Sequence, residues 1–354
     1  MREWEKNIRK VVPYVAGEQP NKKDMVKLNT NENPYPPAPG VQKLSSELDV
    51  DCLRLYPAPD CKSLCNELAS YYNVKPEQVF VGVGSDDVIS MAFLTFFNSD
   101  KPILFPDITY SFYNVWGDVY RVPYEEIPVD DNFKIIKEDY YKENGGIIFP
   151  NPNAPTGILE PLEFVEDILK NNQDVVVIVD EAYIDFGGES ALKLIERYEN
   201  LLVVQTFSKS RSMAGMRIGF AIGNERLIKA LNDVKFSINS YTMNQYALKV
   251  GTEAVRDREY FETTVQRIIK TREEAKLKLR EFGFEFPDSM SNFIFATHKK
   301  YQAKEIFEYL KNKNIFVRYF SADRINNYLR ITIGTDEEMN KLYEALEAYI
   351  EISQ

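Results

Sequence analysis

Five β-branched residues in a row, Val175-Val-Val-Ile-Val179, run directly into two carboxylates, Asp180-Glu181. A strand with one wet face would alternate apolar and polar residues. An unbroken run needs cover on both faces, as in a mostly parallel sheet sandwiched by helices. The same texture recurs at 79–83, 102–105, 147–149, 201–204 and 218–222. Helix-period segments lie between these runs, such as 87–96, which Gly84-Ser85-Asp86 opens. The pattern predicts an α/β fold over residues 41–240, a mostly parallel sheet with helices on both faces. From about residue 240 a charged amphipathic stretch runs to Glu281 and reads as one helix leaving that domain. Strands at 293–295, 315–318 and 328–333, with helices near 302–312 and 336–351, then predict a smaller α+β domain at 241–354. Residues 1–40 carry Asn31-Glu-Asn-Pro34-Tyr-Pro36-Pro37-Ala-Pro39 and read as an irregular arm, packed on the small domain or on a partner subunit.

Composition narrows the chemistry. The 354 residues include one histidine, His298, so a Ser-His-Asp triad, a histidine-ligated metal or a histidine base would have to use that residue. It ends a predicted strand, where a hydrogen-bonded or an exposed histidine is expected. Cys52, Cys61 and Cys65 are odd in number and lack nearby histidines, which argues for reduced thiols rather than a metal site. The formal net charge of -11, without a long Lys/Arg run, disfavours nucleic acid and anionic membranes. No apolar stretch reaches the ~20 residues of a membrane span. The charged start, Met1-Arg-Glu-Trp-Glu-Lys6, lacks the apolar segment of a secretory signal, so a cytoplasmic protein is expected.

Chemistry must then come from Lys, Tyr, Asp, Arg or a cofactor. The apolar run at 201–204 stops at Gln205-Thr-Phe-Ser-Lys209, followed by Ser210, Ser212 and Arg217. Open α/β sheets bind ligands where their strands end. Burial disfavours an ammonium, so a lysine held there can attack a carbonyl. Hydroxyls and an arginine beside it suit a phosphate. Lysine, phosphate and carbonyl together point to pyridoxal phosphate. Gly82-Val-Gly84-Ser85-Asp86, between a strand and a helix, can aim backbone N–H groups at an anion. Asp180 ends the most apolar strand, where a carboxylate needs a partner; a pyridinium N–H would serve.

The ordered series Gly84-Ser-Asp, Asn151-Pro-Asn-Ala-Pro-Thr-Gly157, Asp180-Glu-Ala-Tyr183, Ser208-Lys209 with Arg217, and Leu329-Arg330-Ile-Thr-Ile-Gly334 resembles the fold-type I, pyridoxal-phosphate-dependent aminotransferases. Within them the chain is most similar to the histidinol-phosphate aminotransferases, through Val12-Pro13-Tyr14, Leu28-Asn-Thr-Asn-Glu-Asn33-Pro34 and Leu55-Tyr56-Pro57. The resemblance implies an amino donor, histidinol phosphate, and a 2-oxo acid, 2-oxoglutarate. It implies that Lys209 carries the cofactor and moves the substrate's α-proton. Asp180 would hold the pyridine nitrogen, Tyr183 the phenolic oxygen, and Tyr110 would stack on the ring. Gly84, Ser85, Asp86, Thr206, Ser208 and Arg217 would hold the phosphate. Tyr56 would reach it from the partner subunit of a homodimer. Tyr14, Asn33, Arg318 and Arg330 would bind substrate. At Ala154 many relatives carry an asparagine that meets the cofactor oxygen; Asn153 is the candidate to replace it. An aromatic amino-acid aminotransferase, a threonine-phosphate decarboxylase and a non-catalytic cofactor-binding regulator are the alternatives.

Overall fold

The computed structural model describes residues 2–15, 17–47 and 49–353. Among these, the strands are β1 (Val26–Leu28), β2 (Val79–Gly82), β3 (Ile103–Pro106), β4 (Tyr124–Ile127), β5 (Gly146–Pro150), β6 (Val177–Asp180), β7 (Leu201–Thr206), β8 (Gly219–Gly223), β9 (Phe284–Glu285), β10 (Phe293–His298), β11 (Ile315–Tyr319) and β12 (Leu329–Thr332). Seven form one sheet in the order β2-β8-β7-β6-β5-β3-β4. The pairs β3/β4, β3/β5, β5/β6 and β6/β7 are parallel, and β8 runs antiparallel to both its neighbours.

The period of two is present inside the unbroken apolar runs. Ile178, Leu202 and Val204 pack on one face with Phe80, Ile89 and Phe93. Val177, Val179, Leu201 and Val203 pack on the other with Phe149, Val165 and Ile168. Both faces are apolar because helices cover both, among them Ser85–Phe96 and Leu162–Asn171. The register then decides where the polar ends fall. Pro150 pairs with Asp180, and Thr206 and Gly82 both pair with Gly219. Four segments therefore reach one sheet margin together, each bearing a polar continuation.

The second sheet has the order β1-β11-β12-β10-β9. Ile294, Ile315, Val317, Leu329 and Ile331 build its core with the helices Arg258–Glu281, Ala303–Asn312 and Asp336–Ile352. Two sequence expectations need correction. The arm is not wholly irregular: β1 pairs in parallel with β11, Val26 to Ile315 through Leu28 to Val317. The stretch from 240 to 281 is not one helix. It breaks at Asp257, whose side chain caps the second helix by accepting from the Tyr260 N–H, leaving Gln245–Arg256 and Arg258–Glu281. β12, which carries Arg330, is an interior strand with β11 and β10 on its flanks.

Candidate active site

The margin where β6 and β7 end opens into a cavity of about 240 Å³, lined by Asp180, Tyr183, Thr206, Ser208, Lys209, Arg217, Ser85, Asp86 and Tyr110 among others. A wider space of about 490 Å³ adjoins it and adds Tyr14, Arg318, Phe320 and Arg330. Tyr110, Tyr183, Lys209, Asp86 and Arg217 line both. Residues far apart in the chain meet because each follows a strand of the same sheet or of its neighbour.

Lys209 stands three residues past the end of β7. Its Nζ donates to the Thr30 carbonyl at 3.1 Å and lies 5.8 Å from the Tyr183 ring. No carboxylate pairs with it among the described residues. Asp180, 5 % exposed, closes β6. Its Oδ2 accepts from the Tyr113 hydroxyl at 2.9 Å and its Oδ1 from the Ala182 N–H at 3.3 Å. Burial pushes this carboxyl up to about 6, against the pull of those two donors. A carboxylate out of water that borders a cavity, with no cation beside it, fits a cationic ring nitrogen.

The cavity is also lined by a backbone cradle. The helix Ser85–Phe96 starts there, and its first N–H groups have no partner within the helix. Gly84 has φ +85, which favours glycine, and a Cβ on it would lie 2.6 Å from an Arg217 nitrogen. On Gly219 a Cβ would lie 2.3 Å from the Ser85 nitrogen. The space against those N–H groups is thus kept clear from two sides. Arg217 Nη2 donates to Asp86 Oδ2 at 3.0 Å, and the Tyr110 hydroxyl donates to Asp86 Oδ1 at 2.8 Å. Thr206 Oγ1 donates to Ser208 Oγ at 3.0 Å. Hydroxyls, one guanidinium and a helix N-terminus around a glycine-cleared space fit a phosphate. A lysine, a buried carboxylate and such a cradle together fit pyridoxal phosphate.

In the adjoining space Arg318 of β11 and Arg330 of β12 are directly opposite partners. Like charges at that spacing repel. Neither has a carboxylate partner among the described residues, and Arg330 Nε is buried without an acceptor. Arg330 Nη2 reaches only the Asn29 carbonyl, at 3.3 Å, and the guanidinium lies 5.3 Å from the Phe293 ring and 5.8 Å from the Phe320 ring. Burial pulls its pKa below the ordinary arginine value. Two facing guanidinium groups left without an anion among the described residues form a receptor for one from outside.

Three predicted site residues fall elsewhere. Asn153 does not line the cavity: its Nδ2 donates to the Ile108 carbonyl at 2.9 Å and to Thr156 Oγ1 at 3.2 Å. It braces the loop, while Ala154 presents a methyl to the space. Asn33 likewise holds backbone, donating to the Lys209 and Ser210 carbonyls at 3.0 and 3.1 Å, and so anchors the lysine's loop. Tyr56 is 81 % exposed, lies outside both spaces and packs on Tyr241 at 4.6 Å between ring centroids. Tyr14 stacks on Phe112 at 4.3 Å and lines the wider space. Sequence reasoning missed Tyr113, the donor to Asp180, and Asn31, whose Nδ2 donates to the Tyr183 hydroxyl oxygen at 2.9 Å. Asn31 lay inside a quoted motif; nothing local marks Tyr113. His298 is a packing residue, bonded to the Phe282 carbonyl and accepting from the Lys300 and Tyr301 N–H groups.

The sequence profile of the family Aminotransferase class I and II matches residues 23–346. The chain is 51% identical over 347 residues to the histidinol-phosphate aminotransferase of Lactococcus lactis subsp. lactis, covering 98% of this chain and 96% of that one. It is 51% identical over 343 residues to that of Brachyspira hyodysenteriae, covering 97% of each. Among solved structures, the histidinol-phosphate aminotransferase of Sinorhizobium meliloti in complex with pyridoxal-5'-phosphate superposes with a TM-score of 0.84 at 22% identity, over 93% of this chain and 92% of the other. At that identity the likeness shows the fold.

Proposed function

This chain belongs to the class I and II aminotransferases, and from that premise we propose that it exchanges an amino group between L-histidinol phosphate and 2-oxoglutarate, giving imidazole acetol phosphate and glutamate in histidine biosynthesis. It is an enzyme that works with pyridoxal phosphate. When bound, that cofactor withdraws electrons from the substrate's α-carbon and so acidifies its proton. Everything else falls to side chains.

Lys209 carries the cofactor and then moves the proton, since its amine is free of carboxylates and reaches both spaces. Asp180 holds the ring nitrogen protonated, a charge-assisted hydrogen bond of roughly 1.5–3 kcal/mol. Tyr113 keeps its carboxylate aimed. Tyr183 holds the phenolic oxygen and Tyr110 packs on the ring. Ser85, Asp86, Thr206, Ser208 and Arg217 fix the phosphate. Tyr56 serves the neighbouring subunit of a homodimer. Leu53, Leu55, Tyr56, Ile238 and Tyr241 are apolar and exposed, and Tyr56 touches Tyr241, which suits a buried subunit contact. The cytoplasm is the proposed compartment.

One observation carries the choice of substrate: the unpaired, facing Arg318 and Arg330 beside Lys209. Such a fork grips a phosphate in one half-reaction and a carboxylate in the other. The relatives of about half identity favour the phosphate ester over an aromatic amino acid or a decarboxylation. An amino-donor panel with 2-oxoglutarate tests this. Histidinol phosphate is expected to be used well and histidinol poorly. Arg330→Ala is expected to raise KM for both substrates, and Arg330→Lys to recover part of the loss. Equal use of histidinol and its phosphate ester would sink the reading in favour of an aromatic aminotransferase.

A further inference from the structure

Asn31 is 1 % exposed and sits at φ +56, a left-handed backbone that asparagine tolerates better than most residues. Three hydrogen bonds fix it to the second sheet and to the residue that precedes β10. Its N–H donates to Thr332 Oγ1 at 3.0 Å, its Oδ1 accepts from the same hydroxyl at 3.1 Å, and its carbonyl accepts from Asn292 Nδ2 at 3.0 Å. With Oδ1 turned to Thr332, Nδ2 faces the other way and donates to Tyr183 Oη at 2.9 Å. Tyr183 belongs to the segment that follows β6 of the first sheet.

A phenol has one proton to give. If an amide N–H already occupies one lone pair of the oxygen, the tyrosine's own O–H must point elsewhere. Among the described residues no acceptor for it is found, and Tyr183 lines both spaces beside Lys209, the wider one also beside Arg330. Ala154, which also borders both spaces, offers only a methyl there.

We propose that Asn31 is a positioning residue: by donating to Tyr183 Oη it sends the tyrosine's proton into the cavity, toward the phenolic oxygen of the cofactor. This rests on the reading of the site as a pyridoxal phosphate site. Thr332, two residues from Arg330 and so on the same face of β12, orients the amide. The strand that carries the anion receptor thereby also sets the direction of a hydrogen bond at the cofactor.

Asn31→Asp tests it. The change keeps shape and backbone tolerance but replaces a donor by an acceptor, so the Tyr183 proton turns away from the cavity. The readout is the pH at which the visible band of the bound cofactor titrates in the resting holoenzyme. A lost donor to the phenolic oxygen disfavours its anion, so the midpoint is expected to rise by about one pH unit. Tyr183→Phe is expected to raise it similarly, and the double variant no further than Tyr183→Phe alone. Thr332→Val, which removes only the orienting hydroxyl, is expected to give a smaller rise and stands in if Asn31→Asp does not fold. An unmoved midpoint in Asn31→Asp, or in Thr332→Val, overturns the proposal. So does an Asn31→Asp shift that adds to that of Tyr183→Phe, because Asn31 would then act by another route. Wild-type protein that takes up no pyridoxal phosphate overturns the parent reading and this one with it; a normal band that does not move overturns only this one.

Discussion

Asp180 shows how one residue can oppose stability and serve chemistry. Its folded pKa, near 6, lies above the ordinary aspartate value because burial disfavours the anion. In the cofactor-free protein such a group favours folding below the unfolded pKa, near 4. That contribution is lost as pH rises through about 6. Cofactor-free Asp180→Asn is therefore expected to be more stable than cofactor-free wild type at pH 7.5, by up to about 3 kcal/mol. The gap should close toward pH 4 in urea titrations. The same variant is expected to lose most of its transamination. Equal stability of the two at every pH would mean that Asp180 ionises in the folded protein without penalty. The residue-scale reading of the sequence was uneven for a physical reason. Lys209, Asp180 and Arg217 stand in motifs whose residue types are expensive or odd where they occur. Tyr113 is one tyrosine among 22, and only its contact with Asp180 sets it apart.

At the scale of elements, what matters is how β2, β8 and the helix Ser85–Phe96 converge. Gly82 pairs with Gly219, and the helix starts three residues after β2 ends. The strands come close enough that a methyl on Gly219 would press on the Gly84 and Ser85 backbone at 2.3 Å. Gly219→Ala is thus expected to cost about 1–3 kcal/mol in unfolding. It should weaken cofactor uptake as well, because the displaced N–H groups belong to the phosphate cradle. Wild-type stability and uptake in this variant would show that the cradle adjusts freely. Six of the seven strands of the first sheet were readable as apolar runs, and the helix Ser85–Phe96 by its period; β4 was not, because its Tyr-Glu-Glu-Ile carries two exposed glutamates. Nor was β1, which is three residues long and pairs with β11, nearly 290 positions away. No local period can announce a partner so distant. The break at Asp257 was legible in principle, since an aspartate N-cap before a charged helix is a start signal, but the continuous helical texture on both sides hid it.

At the scale of the whole molecule, the exposed Leu53, Leu55 and Tyr56 beside Tyr241 lead to a prediction about assembly. Sedimentation is expected to give a dimer at assay concentration. Tyr56→Phe should retain the dimer but bind pyridoxal phosphate more weakly, about tenfold for one lost charge-assisted hydrogen bond. A fully active monomer would contradict the shared site. Sequence alone determined the layers: runs of β-branched residues with apolar character on both faces can be stable only between helices. It also determined the chemical inventory, because one histidine and a lysine after an apolar strand leave few mechanisms. Tertiary structure alone decided the meetings. Arg318 and Arg330 look like ordinary strand arginines until the pairing of β11 with β12 sets them face to face with no carboxylate partner among the described residues. Asn31 and Tyr183 become partners only when the arm joins the second sheet and that sheet closes over the margin of the first. A local pattern records what each segment must bury. Which polar groups then share one enclosed space depends on strand register between segments hundreds of residues apart, and the folded chain fixes that register as a whole.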